Sequence, residues 1–113
     1  MKFVKKNGTK LFEASEACRV FEYQLGYKDI DGVVAKITGR YPDKGFCVNK
    51  ICRELGYVIE GQGKVVINDT EISLNTGDLV CIDPNEKFFW EGNFTLFLPC
   101  APAWNPNQHK FVD

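Results

Sequence analysis

Histidine is almost missing from this chain: one, His109, in 113 residues. That scarcity takes away the usual imidazole ligands of a transition metal and the usual general base. Basic residues are not in excess either. The 14 Lys and Arg are scattered and balanced by 15 Asp and Glu, net −1, so there is no electrostatic footprint for nucleic acid. No apolar run approaches the ~20 residues a membrane-spanning helix needs. The opening residues, Met1-Lys2-Phe3-Val4-Lys5-Lys6, lack the apolar stretch of a secretory leader. The five cysteines are an odd number and their spacing forms no disulfide framework. These features point to a reducing cytosol, with a residue such as Cys81 serving as a small hydrophobe within an apolar strand. There is no internal repeat, no low-complexity stretch and no linker, and neither end resembles a helix-turn-helix.

What is present is apolar and aromatic. Hydrophobic residues make up 44% of the chain, with nine Phe, four Tyr and two Trp. A single domain of this length buries roughly two-thirds of its unfolded surface, enough for stability without metal or disulfide. Residues 54–84 set the pattern. Three short apolar runs are separated by Gly61-Gln62-Gly63, Asn68-Asp69 and Asn75-Thr76-Gly77-Asp78. Short β-rich runs at close spacing, punctuated by Gly and Asn or Asp, predict an antiparallel all-β sandwich or barrel.

Along the chain, strands are expected at residues 3–6, 10–12, 20–25, 33–38 and 46–52, with one helical turn within 13–19. Residues 55–60 are nearly all apolar, as expected where both sheet faces are covered. Residues 64–68 and 71–74 form a hairpin. Residues 79–82 are a buried strand stopped by Asp83-Pro84. Strands at 88–90 and 94–98 are joined by a turn at Glu91-Gly92-Asn93. The Pro-rich residues 99–113 are expected to run irregularly over the surface, held by Trp104, with His109 an exposed tail residue.

Glu54 and Gly61 stand six residues apart, followed by a Gly-x-Gly and a Val/Ile strand. Gly77-Asp78, a strand and Asp83-Pro84 come next. In this joint pattern the chain resembles the cupin superfamily, specifically the small single-domain bacterial cupins, over roughly residues 39–102. The resemblance implies a cupin-type double-stranded β-helix, or jelly-roll, barrel with its ligand site inside. It also implies a divalent metal held by three His and one Glu, and pairing into dimers. On the first motif the two histidine places fall on Cys47 and Asn49, and the opening glycine on Tyr41. On the second, Pro84 comes one residue late, Glu86 stands for the glycine, Phe89 for the histidine, and Asn93 keeps the asparagine. Only Glu54 survives of the four ligand places.

An inward Glu54 would lack a metal and would need donors or a proton. Asn49, Tyr57, Arg40, Arg53 or a ligand hydroxyl are the available partners; the other reading is a rim carboxylate paired with Arg53 or Lys50. Gly56, on the same face, either widens the cavity or admits a close neighbour. Tyr41, Tyr57, Phe88, Phe89 and Trp90 either wall a pocket or fill the core. If Phe89 points inward, Phe88 and Trp90 point out and need cover, which a second copy of the chain would supply.

The resulting expectation is one domain over residues 1–113, with a core at about 20–102. It binds a sugar-like or polar metabolite through Glu54, Asn49, Cys47, Tyr57 and Phe89, with no cofactor, as a cytoplasmic homodimer. The alternative is a cupin enzyme, sugar isomerase-like or dioxygenase-like, with an altered divalent-metal site built from Cys47, Asn49 and Glu54. In that reading Cys52 is a further thiol, five residues beyond Cys47.

Overall fold

The computed structural model describes residues 1–113. Nine strands form one sheet: β1 (Lys10–Ser15), β2 (Cys18–Tyr23), β3 (Asp31–Tyr41), β4 (Phe46–Asn49), β5 (Arg53–Ile67), β6 (Thr70–Asn75), β7 (Leu79–Ile82), β8 (Lys87–Ala101) and β9 (His109–Val112). The order is β1-β2-β3-β8-β4-β9, and β5 pairs with β6, β7 and β8. Every pairing is antiparallel, and the sheet curls on itself into a cupin-type barrel. Inside lies a core of Ala35, Ile37, Val58, Val65, Ile82, Phe88, Trp90, Phe94 and Leu96, among others.

Two long strands replace what the glycines predict as turns. Gly61-Gln62-Gly63 lies within the 15-residue β5 and Glu91-Gly92-Asn93 within the 15-residue β8. The reason is steric. Gly63 pairs directly with Gly92, and a Cβ on Gly63 would come within 2.6 Å of the Phe94 ring and 2.7 Å of the Glu91 carbonyl. These glycines let two crossing backbones close up while the ladder continues, with a register shift between Val58 and Glu60.

Other local expectations shift for similar reasons. Residues 6–8 are a turn of 3₁₀-helix, with no strand at 3–6, and 13–19 is a bulged hairpin instead of a helical turn. Residues 54–59 alternate strictly. Glu54, Gly56 and Val58 face in, while Leu55, Tyr57 and Ile59 face out and are exposed. Thus only one face of this apolar run is covered by the chain itself. In β7 the alternation leaves Leu79 and Cys81 exposed, so Cys81 is not a core residue.

The C-terminal residues depart most from expectation. Their prolines do not prevent order: β8 runs on to Ala101, a 3₁₀ turn spans Pro106–Gln108, and β9 adds to the sheet beside β4. Proline at the first helical position costs no hydrogen bond there, and Asn105 caps that turn by accepting from the Asn107 N–H (2.9 Å).

Candidate active site in the barrel

A cavity of about 130 Å³ opens between the β1-β2-β3 side of the barrel and the C-terminal segment. Aromatic rings from Phe12, Tyr41, Phe88, Trp90 and Trp104 line it, along with Glu22, Asp31, Glu54, Cys18, Cys100 and His109. Its size matches one six-membered ring, since a 150 Å³ engineered cavity admits benzene.

Glu54 is the buried acid. It sits on β5 opposite Ile82 on one side and Cys100 on the other, 9% exposed, facing the cavity. The basic residues near it in sequence point elsewhere. Arg53 pairs with Asp83 outside the barrel (2.7 Å), and Arg40 donates to the Pro42 and Gly45 carbonyls (2.6 and 3.0 Å). Burial therefore pushes the Glu54 carboxyl up to about 8, helped by the negative charge of Cys52 and Asp31. Asn49 opposes this slightly from nearby, although its Nδ2 meets no partner at full hydrogen-bond geometry. Asn49 Nδ2 is thus a buried donor with spare capacity beside the acid.

A chain of hydrogen bonds fixes the state of His109. Gln108 Oε1 accepts from the backbone N–H of Ile51 (3.1 Å) and of Cys52 (3.2 Å). Backbone N–H groups only donate, so the Gln108 amide has one orientation. Its Nε2 donates to Asn49 Oδ1 (3.3 Å), which orients Asn49. His109 Nδ1 lies 2.7 Å from that same oxygen and must carry the proton. The neutral ring then keeps its lone pair on Nε2. Burial lowers the His109 pKa, favouring this neutral form. The ring packs between Trp104 (5.5 Å) and Phe111 (5.3 Å). His109 is therefore not an exposed tail residue but part of the cavity wall. The prolines of residues 99–113 concealed this. A sign was present in the run of residues 109–112, His-Lys-Phe-Val, which can alternate as a strand.

The other expected residues separate. Asn49 is buried beside Glu54. Cys47 is fully buried behind the Tyr41 wall, outside the cavity lining; burial pushes its thiol up to about 12 against a hydrogen bond from Tyr41. Tyr57 is 43% exposed on the outer face of β5. Phe89 also faces outward, between the Phe46 ring (5.7 Å) and the Arg40 guanidinium (3.7 Å). Phe88 and Trp90 are the inward pair, each 2% exposed. The inversion is a one-residue matter. Counting the second motif from Gly77 instead of Pro84 puts Phe88 in the histidine's place, and a slip of one along a strand exchanges its faces. Gly56 does not widen the cavity: a Cβ there would meet the Trp90 ring at 2.9 Å, so the indole fills that space.

Donor chemistry at the motif positions does not suit a divalent metal. Phe88 and Trp90 offer no ligand atom, Cys47 is held as a thiol, and Asn49 Oδ1 already accepts twice. No three His, Cys, Asp or Glu side chains stand where they could share an ion. Cys52, also buried, adjoins Cys100: hydrogen bonding between them raises the Cys100 pKa and lowers that of Cys52, and Cys100 Sγ donates to Asp31 (3.1 Å).

Solved structures share this architecture. Pac13 of Streptomyces, described as a nucleoside dehydratase, superimposes with a TM-score of 0.88 at 20% identity, covering 99% of this chain and 90% of that one. A variant of it has been solved with uridine. An RmlC-like cupin from Shewanella frigidimarina gives 0.75 at 18% identity, over 91% and 92%. KdgF from Halomonas sp. gives 0.70 at 14%, over 91% and 96%. Among curated proteins no sequence matches significantly. At the level of sequence families, the AraC-like ligand binding domain matches residues 33–91, from within β3 to within β8 and a little over half of the chain. A curled antiparallel barrel, an enclosed cavity and this match together identify the chain as a cupin that belongs to the AraC-like ligand binding domain family.

Proposed function

We propose that the protein binds a ring-sized polar metabolite, sugar-like or nucleoside-like, in the aromatic cavity, with Glu54 as the principal recognition group. One observation carries this reading: a nine-tenths-buried carboxyl with no full hydrogen bond faces a largely apolar, aromatic-walled cavity. A fold does not leave such a group unsatisfied without cost, and a ligand hydroxyl or amine would satisfy it. The uridine complex of Pac13 supports a ligand of this kind in a barrel of this shape.

A second reading, an enzyme, is favoured by the presence of Glu54 and His109 on the wall of one cavity. An acid that keeps its proton near neutrality and an imidazole with Nε2 bare are the two halves of a proton-transfer pair. Asn49 lies between them, bonded to one and adjacent to the other. On a ring carrying a carbonyl, elimination of a β-hydroxyl needs only these steps: Nε2 takes the proton from the carbon between the two groups, and the Glu54 carboxyl gives its proton to the departing oxygen, which leaves as water. No cofactor enters this scheme.

The test is a ligand-observed NMR screen of monosaccharides and nucleosides against the wild type and Glu54→Gln. Binding lost in the variant supports the reading. A conversion product in the same tube, absent with His109→Gln, selects the enzyme. No saturation transfer from any compound would overturn both.

We also propose a cytoplasmic homodimer. The exposed outer row Leu55, Tyr57, Leu79 and Phe97 offers the apolar surface for it, with Tyr57 in register with both Leu79 and Phe97.

A further inference from the structure

The cavity is one-signed in charge. Three carboxyl side chains face it, Glu22 from β2, Asp31 from β3 and Glu54 from β5, and none of the lining residues is Lys or Arg. The basic residues of the same strands are engaged outside. Arg19 reaches Glu13 (3.7 Å) and lies over Phe21, Lys36 lies over Phe21 from the other strand, and Arg40 lies over Phe89. Arg53 is held by Asp83. Around the carboxyl groups stand the rings of Phe12, Tyr41, Phe88, Trp90 and Trp104.

We infer that the natural ligand carries a positive charge, as an amine or similar organic cation on a ring-sized body, and that this pocket rejects phosphorylated or carboxylated molecules. This rests on the binding reading above and narrows it. Rings present their negative faces to a cation, and a low-dielectric cleft lined by one sign focuses that field on whatever enters. Asp31 already accepts from Cys100, and Glu22 sits half-buried toward the mouth. Glu54, without a full hydrogen bond, holds its proton near neutrality and would give it up as a cation enters, leaving a carboxylate to meet an ammonium directly. A phosphate or carboxylate in the same place would face three carboxyl groups with no basic partner.

The test uses two matched series: glucosamine, glucose and glucuronate, and benzylamine, benzyl alcohol and benzoate. Saturation-transfer NMR and thermal shift are read at millimolar concentrations. The amine should bind about tenfold tighter than its neutral partner, the effect of one well-placed ion pair or cation–π contact. The anion should not bind. Glu54→Gln should weaken the amine more than the alcohol, and the more exposed Glu22→Gln should separately narrow the preference for amine over alcohol. Having both variants keeps the test informative if one folds poorly. Equal binding of amine and alcohol, or preference for the anion, would overturn the charge inference while the metabolite reading stands. Binding of neither series would overturn both.

Discussion

Replacing Glu54 by Gln should stabilise the protein, and increasingly so as the pH rises. In the unfolded chain this carboxyl loses its proton near 4.5; in the fold it does so near 8. Between those values the unfolded state holds fewer protons than the folded one, so stability falls with rising pH, by up to about 1.4 kcal/mol per unit. Below the lower value both states are protonated and the cost is absent. Above the upper value both are ionised and the cost is complete. The interval sets an upper bound of about 5 kcal/mol, a large part of the stability of a domain this size. A carboxyl at a cavity wall keeps some hydration, so about 2–3 kcal/mol is the expected effect. Glutamine fits the same space, and its Oε1 can accept from Asn49 Nδ2. Urea and thermal unfolding of both proteins at pH 4.5, 6.5 and 8.5 measure the difference. At pH 4.5 they should agree within about 1 kcal/mol, and at pH 8.5 the variant should melt on the order of 10 °C higher. His109 titrates in both proteins and cancels in the difference. Parallel stability profiles across this range would refute the buried, charge-disfavoured Glu54 on which the site is built.

Long-range ¹H–¹⁵N correlation spectra at neutral pH should show His109 protonated on Nδ1, with Nε2 bare; the opposite tautomer would break the Gln108–Asn49–His109 chain. Gln108→Leu leaves the Ile51 and Cys52 N–H groups without their acceptor. It should cost about 1–3 kcal/mol by chemical denaturation and speed proteolysis after residue 101. An unchanged midpoint would mean that β9 is held by other contacts. Leu79→Lys, on the exposed outer row, should shift a dimer to monomer in sedimentation velocity, whereas Trp90→Lys would damage the barrel interior. An unshifted Leu79→Lys would place the dimer face elsewhere. Gly63→Ala forces a methyl against Phe94 and the Glu91 carbonyl, and should cost about 1–3 kcal/mol of stability; a neutral result would contradict the close crossing of β5 and β8.

The spacing of apolar runs and turn residues was enough to specify an antiparallel all-β sandwich or barrel, because period-two alternation and Gly-Asp punctuation are local properties; the choice of barrel came with the cupin resemblance. The Glu54–Gly61 spacing, through the resemblance it carries, offered an inward acid but left a rim carboxylate equally open; the barrel's pairing decided for the inner face. Strand ends were less legible. Gly63 and Gly92 look like turn residues in one dimension, and only pairing across the barrel shows that they serve close contact.

The inner residues of β8 depended on a single residue of register. Phe88, Phe89 and Trp90 are interchangeable in composition, and alternation alone cannot say which parity faces in. The neighbouring Val65, Val66 and Ile67 of β5 settle that, through pairings set far away in the chain. His109 shows the same limit more sharply. Nothing near it in sequence announces a site, because its partners are Asn49, some sixty residues earlier, and a cavity wall from the other side of the sheet. Sequence determined the all-β class and, through the resemblance, the barrel and the candidate acid, by patterns a few residues long. Tertiary structure alone decided which aromatic rings face the cavity and that the last strand brings the one imidazole to the wall of the same cavity, since both follow from long-range strand register.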